Sequence, residues 1–253
     1  MLQRHAACIR ALLIRDLMVR YGRENLGFIW AMLEPMLLTS GVLVIWSLLK
    51  QPVIHGLPLI GFVLTVYMPL TMWRHMTSSM VRLIGHNRGL LYHPQLSHFD
   101  VVLARIVLEF LSTSIALMTI HFVLLATNLT EPVQDWGKLL AAWLFTAWFH
   151  AGLGLLIAAA TERWETFEKF IQPAQYLALP LSGVWFMVDW LPSRFQELIL
   201  WNPQVHCFEM FRAGYFGEGV VTHYDPLYLA AWSLTLSVLG LLALGAVGEH
   251  VRA

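Results

Sequence analysis

An all-α integral membrane protein with six transmembrane helices is the fold class this sequence predicts, on three observations. Hydrophobic residues make up 58% of the 253 and charged residues only 13%, about half the charged share of a soluble domain. The apolar residues come in runs near the roughly 20 residues a helix needs to cross a bilayer. At 15–38, RDLMVRYGRENLGFIWAMLEPMLL, a charged segment passes directly into an apolar one, broken only by the Glu34–Pro35 step. A mean hydropathy of +0.62 agrees. The whole chain, 1–253, reads as a single transmembrane domain.

The predicted spans run over 28–49, 59–80, 101–126, 138–160, 170–188 and 226–248. With the N-terminus inside, Arg4, Arg10, Arg15, Arg20, Arg23, Arg82, Arg88, Arg163, Lys169 and Arg252 share the cytoplasmic side. Lys50, Lys138, Arg194 and Arg212 take the other. Ten cations against four set the orientation, because Lys and Arg are retained inside. Both termini are then cytoplasmic. The first 25 residues scatter five Arg instead of placing a basic tip before an apolar core, so no cleavable signal peptide is expected.

Between the spans, three segments carry character of their own. Within the cytoplasmic segment 1–27, residues 4–24 are helix-compatible, with Ile9, Leu12, Leu13 and Leu17 on one arc that Asp16 and Arg20 interrupt. This reads as an interfacial helix, against the plainer reading of a basic anchor. The cytoplasmic connection 81–100 predicts one short amphipathic helix over Val81–Tyr92, ended by Pro94. The outer segment 189–225 holds two apolar half-helices, 192–201 and 203–213, each with Pro in its first turn. Asn202 is placed to cap the second and Gly214 to end it. Each is too short to span and too apolar for a free loop, which predicts a re-entrant hairpin.

Net charge is zero, so no basic patch argues for nucleic acid. Cys8 and Cys207 fall on opposite sides of the membrane and cannot pair within one chain. There is no G-x-x-x-x-G-K-[ST] loop, which excludes ATP binding by that route, and no Ser/His/Asp or C-x-x-C arrangement. His206 and Glu209 have a spacing compatible with metal ligation; a polar contact pinning the hairpin is the alternative, as is a Glu209–Arg212 pair. Arg105 and Glu109, four apart near the start of the third span, read as a structural ion pair or a substrate contact. Arg74 and His75 belong to the same polar layer, and His121 and His150 are expected as interhelical hydrogen-bond partners. The eleven Trp, seven Tyr and fourteen Phe populate interfacial belts for the most part. A subset, Phe28, Trp30, Trp46, Tyr176, Trp185, Phe186 and Trp190, could instead line a passage on which pyranose faces stack.

Four ordered stretches carry a resemblance: Arg15–Pro35 (R-D-L-M-V-R-Y-G-R-x-x-L-G-F-I-W-A-M-L-E-P), Asn87–Gln95 (N-R-G-L-L-Y-H-P-Q), Ala104–Glu109 (A-R-I-V-L-E) and Trp201–Arg212 (W-N-P-Q-V-H-x-x-E-M-F-R). The chain resembles the inner-membrane permeases of ABC-2 polysaccharide exporters, those of capsule systems above all. The resemblance implies a transporter subunit rather than an enzyme: a homodimer in the bacterial inner membrane, standing on two copies of a separate ABC ATPase. No cofactor is then expected on this chain, ATP and Mg belonging to the partner. The cargo implied is a lipid-linked polysaccharide moving from cytoplasm to periplasm, towards a periplasmic adaptor and an outer-membrane channel. It also implies roles. Arg82, His86, Asn87, Arg88 and Tyr92, with Arg15 and Arg20, would couple to the ATPase. The aromatic subset would face the canal, and Trp201, Asn202, Pro203, His206, Glu209 and Arg212 would form a periplasmic gate. An O-antigen or teichoic-acid-like cargo is the sibling reading. A membrane-embedded glycosyl- or acyltransferase on lipid-linked sugars is the alternative from a different class, but the outer carboxylates Asp189, Glu197, Glu209, Glu218 and Asp225 are spread along a loop rather than gathered.

Overall fold

The computed structural model describes residues 2–21, 36–37, 39–46, 48, 53–93 and 96–250. Helix dominates. The order is α1 (Leu2–Tyr21), strands β1 (Val53–Ile54) and β2 (Leu57–Pro58), α2 (Leu59–Ser78), α3 (Leu83–His86), α4 (Arg88–Leu91), α5 (His98–Ala126), α6 (Trp136–Arg163), α7 (Glu168–Ala178), α8 (Ser193–Ile199), α9 (Pro203–Phe216) and α10 (Pro226–His250). Residues 36, 37, 39–46 and 48 are helical too. Among the described residues, three helices are long and apolar enough to cross a membrane: His98–Ala126, Trp136–Arg163 and Pro226–Val247.

Each long helix begins where the chemistry of its first turn dictates. At α5, Ser97 and Asp100 form a reciprocal capping box that satisfies two otherwise orphaned backbone groups. At α6, Asp135 accepts from the Lys138 N–H at 2.9 Å. That hydrogen bond, helped by the Lys138 ammonium, holds the Asp135 carboxyl below its ordinary range. Inside the helices, hydroxyls turn back onto their own backbone: Thr71 to the Tyr67 carbonyl, Thr113 to Glu109, Thr146 to Ala142 and Thr161 to Ile157. This keeps polar atoms satisfied where no water can reach them.

α2 runs through the middle of the bundle, buried along most of its length and packed on α5, α6 and α9. The most extensive helix pair is α6 with α10, which meet backbone to backbone where Gly152 faces Gly240. α9 lies antiparallel along the first half of α6. Gln204 sits beside His150, Cys207 beside Thr146, Phe211 at 5.6 Å from Trp143 between ring centroids, and Gly214 against Leu139.

Four departures from the sequence expectations have clear causes. First, the chain is not wholly helical: β1 and β2 form an antiparallel hairpin around His55 (φ 47°) and Gly56 (φ 84°), the two-residue turn with both central residues at positive φ. Second, Val81–Tyr92 is two short turns, α3 and α4. The break is at Asn87, whose side-chain amide donates to the Leu83 carbonyl at 2.8 Å. Third, the segment 170–188 is α-helical only to Ala178, ending in the 3-10 turn Leu179–Leu181, where Pro180 lacks a backbone N–H and Gly183 (φ 77°) just beyond it turns the chain away. Fourth, Gly214 does not end α9, which continues to Phe216 with Gly217 (φ 59°) as its cap. The reason for glycine at 214 is contact: a Cβ there would sit 2.4 Å from the Leu139 backbone nitrogen. Gly214→Ala is therefore expected to force α9 away from α6 at a cost of about 1–3 kcal/mol, read as a lower midpoint in thermal unfolding of the detergent-solubilised protein.

Candidate functional site

Two polar assemblies stand out against the apolar bundle, one at each end. The first is a chain of side chains contributed by four parts of the fold. Arg15 on α1 donates to Asn87 Oδ1 at 2.6 Å and to its neighbour Asp16, through Nε at 2.9 Å. Asp16 Oδ2 lies 3.3 Å from Arg105 Nη2 on α5, and Arg105 Nη1 lies 3.7 Å from Glu109 Oε1 one turn along. Glu109 Oε2 then meets His75 Nδ1 on α2 at 3.3 Å. Asp16 and Glu109 are buried. Burying such charges is tolerated because each has an opposite neighbour. The interruption that Asp16 makes in the apolar arc of α1 is thus the contact itself. That interruption was the sequence signal for a residue otherwise missed.

On its other side, the α2–α5 connection is tied to the turn between α6 and α7. Arg88 donates to Glu162 Oε1 at 2.6 and 3.2 Å. The hydrogen bond and charge of Glu162 raise the Arg88 guanidinium above its ordinary pKa. Arg82, in the left-handed region at φ 50°, reaches Glu165 at 3.6 Å and Glu168 at 3.5 Å, while its backbone N–H donates to Thr161 Oγ1. Arg82, Asn87 and Arg88 therefore fasten the connection to its neighbours. His86 and Tyr92 face outward, with Tyr92 88% exposed. Arg15 joins the connection from α1, whereas the Arg20 side chain lies outside the described residues.

The second assembly holds the α8–α9 region. Arg212 is fully buried. Its Nη1 donates to the carbonyls of Gly183 (2.9 Å) and Phe186 (2.7 Å), and Nη2 donates to Val184 (2.6 Å). Its rigid fork of donors suits this cluster of acceptors. One turn earlier, Glu209 accepts from the backbone of Val188 (3.2 Å) and His223 (2.9 Å) and lies 3.6 Å from Arg212. His206 donates through Nε2 to the Leu200 carbonyl at 2.8 Å and accepts from the Asp225 N–H at Nδ1. With both nitrogens taken, His206 is a brace. No group of three potential metal ligands exists among the described residues. Asn202 caps α9 through Gln204 and donates to the Leu181 carbonyl at 2.7 Å, Pro203 opens the helix, and exposed Trp201 offers its carbonyl to Tyr228. The scattered polar residues of this stretch converge on backbone groups.

The aromatic subset divides. Trp46 stacks on Trp185 at 6.2 Å, with Tyr67 edge-on to Trp185 at 5.7 Å. Trp190 lies 4.3 Å from His55 and 5.2 Å from Phe62, neither of which the sequence singled out. Tyr176 sits apart on α7 beneath Arg74, which donates to its hydroxyl at 3.2 Å. Phe186 is half-buried, and Phe28 and Trp30 lie outside the described residues. The expectation of a hydrogen-bonded His121 is corrected. Its ring packs edge-on to Trp136 and Tyr215, with no hydrogen-bond partner among the described residues. His150 stacks on Trp73 at 6.2 Å.

Comparison with known proteins adds the family. The ABC-2 type transporter family matches residues 7–216. The capsule polysaccharide export inner-membrane protein CtrC of Neisseria meningitidis serogroup B (strain ATCC BAA-335 / MC58) is 40% identical over 233 residues, covering 92% of this chain and 88% of the relative. The capsule polysaccharide export inner-membrane protein BexB of Haemophilus influenzae is 36% identical over the same shares. The polysialic acid transport protein KpsM of Escherichia coli is 24% identical over 240 residues, 92% of this chain and 90% of the relative. Helices of membrane-spanning length, a family match across most of the chain and relatives matched over nearly their whole length agree: this chain belongs to the ABC-2 type transporter family.

Proposed function

We propose that the chain is the permease subunit of an ATP-driven exporter that carries a lipid-linked capsular polysaccharide from cytoplasm to periplasm. The observation that carries this reading is the run Asn87–Arg15–Asp16–Arg105–Glu109–His75, which joins an outward-facing connection to two helices of the bundle. A subunit driven from below by a separate ATPase needs such a link. A partner that closes on the exposed His86 and Tyr92 face would move α3 and α4, and the ion pairs would pass that displacement to α5 and α2. The names of the relatives support the cargo.

The working assembly in this reading is a homodimer on two copies of an ABC ATPase, which supplies ATP and Mg. Exposed Phe170 and Leu177 on α7 offer an apolar face for the second copy. Six spans per chain require residues 28–49, 59–80 and 170–188 to join the three long helices. The α8–α9 hairpin would be re-entrant from the periplasm: α9 spans about 21 Å, shorter than the roughly 30 Å hydrocarbon core, and follows only the first half of α6. Trp46, Trp185 and Trp190 would face the canal, with adaptor and outer-membrane channel beyond it.

Purification of the tagged chain from its native membrane in mild detergent tests the reading. An ABC ATPase at equal stoichiometry is expected, and it should be lost from a His86→Asp/Tyr92→Ala variant that still elutes as folded protein. Folded wild-type chain without an ATPase would sink the proposal.

A further inference from the structure

Beneath the α9 N-terminus lies a cavity of about 750 Å³ that the two polar assemblies do not use. Its walls are Trp73 of α2, Leu153 and Ile157 of α6, Ile171 and Ala174 of α7, and Val247 of α10, with Gln204 closing one end and Arg163 and Trp164 the other. Ligand pockets are typically about 300–1,000 Å³, so this is room for a real occupant.

Three features identify its chemistry. The first is the wall. The hydroxyl of Thr77 and the amide of Gln175 satisfy each other at 2.7 Å, and Thr77 also donates to the Trp73 carbonyl. Those groups leave an apolar surface that selects hydrocarbon over a polar solute. The second is length. From Leu153 to Arg163 α6 rises about 15 Å, half of the roughly 30 Å hydrocarbon core and therefore the depth of one leaflet.

The third is charge at the mouth. Glu162, Glu165 and Glu168 are engaged by Arg88 and Arg82. Arg163 has no carboxylate partner among the described residues; its guanidinium carbon lies 5.5 Å from the centre of the exposed Trp164 ring. A cation beside an indole, with no carboxylate partner among the described residues, is the pairing that sits at headgroup level. We propose that this cavity is a binding site for an anionic membrane phospholipid, its acyl chain between α6, α7 and α10 and its phosphate on Arg163. The cytoplasmic placement of that headgroup rests on the orientation proposed above; the site itself does not.

The occupant would brace α7 where protein packing is thin. Apart from the turns at its own two ends, α7 touches the bundle mainly through α2.

The test uses full-length protein, purified, stripped by detergent exchange, and returned to nanodiscs of phosphatidylglycerol and phosphatidylethanolamine. Tightly held lipid is then counted by native mass spectrometry. About one phosphatidylglycerol per chain is expected to remain on the wild type. Arg163→Gln should reduce its preference over phosphatidylethanolamine about fivefold, the loss of one surface cation, and Arg163→Lys should keep it. Ala160→Phe, which fills the cavity from α6, should abolish retention. Ala174→Phe does the same from the exposed face of α7, so one of the two is expected to fold. No retained lipid on folded wild type, or equal retention in the filled variants, overturns the site. Retention that ignores Arg163 overturns the headgroup assignment. Trp164→Cys and Phe167→Cys variants that cross-link two copies quantitatively would show a second chain there instead, which also overturns it. Lipid retention with no co-purifying ATPase would sink the permease reading and leave this site standing.

Discussion

Replacing Arg212 by leucine is expected to remove most of the folded protein. The substitution leaves the Glu209 carboxylate buried without its cation, and it strips the donors from the carbonyls of Gly183, Val184 and Phe186. Breaking a buried pair on one side costs about 3–5 kcal/mol. That is a large part of the roughly 5–15 kcal/mol that holds a typical domain folded. Glu209→Gln combined with Arg212→Leu should recover only part of the loss, because the unpaired charge is gone while the carbonyls stay unsatisfied. Arg212→Lys keeps the charge but loses the planar fork, and should fall between wild type and leucine. Thermal unfolding in detergent, with the fraction eluting as monodisperse protein, reads the order. Wild-type stability for Arg212→Leu would show that the three carbonyls are held by something else.

At the other end, Asp16→Asn and Glu109→Gln are expected to give protein that assembles with its ATPase and hydrolyses ATP but exports about 5–150-fold less polymer, the range of a 1–3 kcal/mol coupling energy. Both substitutions keep the side-chain shape and one acceptor oxygen, while they turn the other acceptor into an amide donor and remove one charge from the run through Arg105. Arg105→Leu removes the cation the two carboxylates share, leaving Asp16 with Arg15 alone and Glu109 with His75 alone, so it should also lower stability. A double-mutant cycle between Asp16 and Arg105 is expected to return an interaction energy of about 0.5–3 kcal/mol. ATP turnover and export falling together in Asp16→Asn would place the defect in assembly with the ATPase. Unchanged export would remove the run from the coupling route.

Legibility followed the range of the interaction. The Asn202 cap, the proline starts and the helical ranges of α5, α6 and α10 depend on neighbours in sequence, and the residues named them to within a few positions. Over 170–188 the chain is not one continuous α-helix, because the turn at Pro180 interrupts an apolar run that composition alone reads as unbroken. The single helix over 81–92 failed because Asn87 bonds both to Leu83 and to Arg15 on another helix. Gly214 has the position of a stop signal, the commonest local use of glycine near a helix end, but its role is contact with Leu139.

By itself the sequence determined a helical membrane domain and its family, because hydropathy and local motifs are properties of contiguous residues. Only the tertiary structure decided the partners of the charged side chains. It set Asp16 on Arg105, Arg88 on Glu162, and Arg212 on three carbonyls 26 to 29 residues upstream. Buried charges take whichever opposite group the packing brings within a few ångströms, and that choice is made by helices crossing in space, not by spacing along the chain.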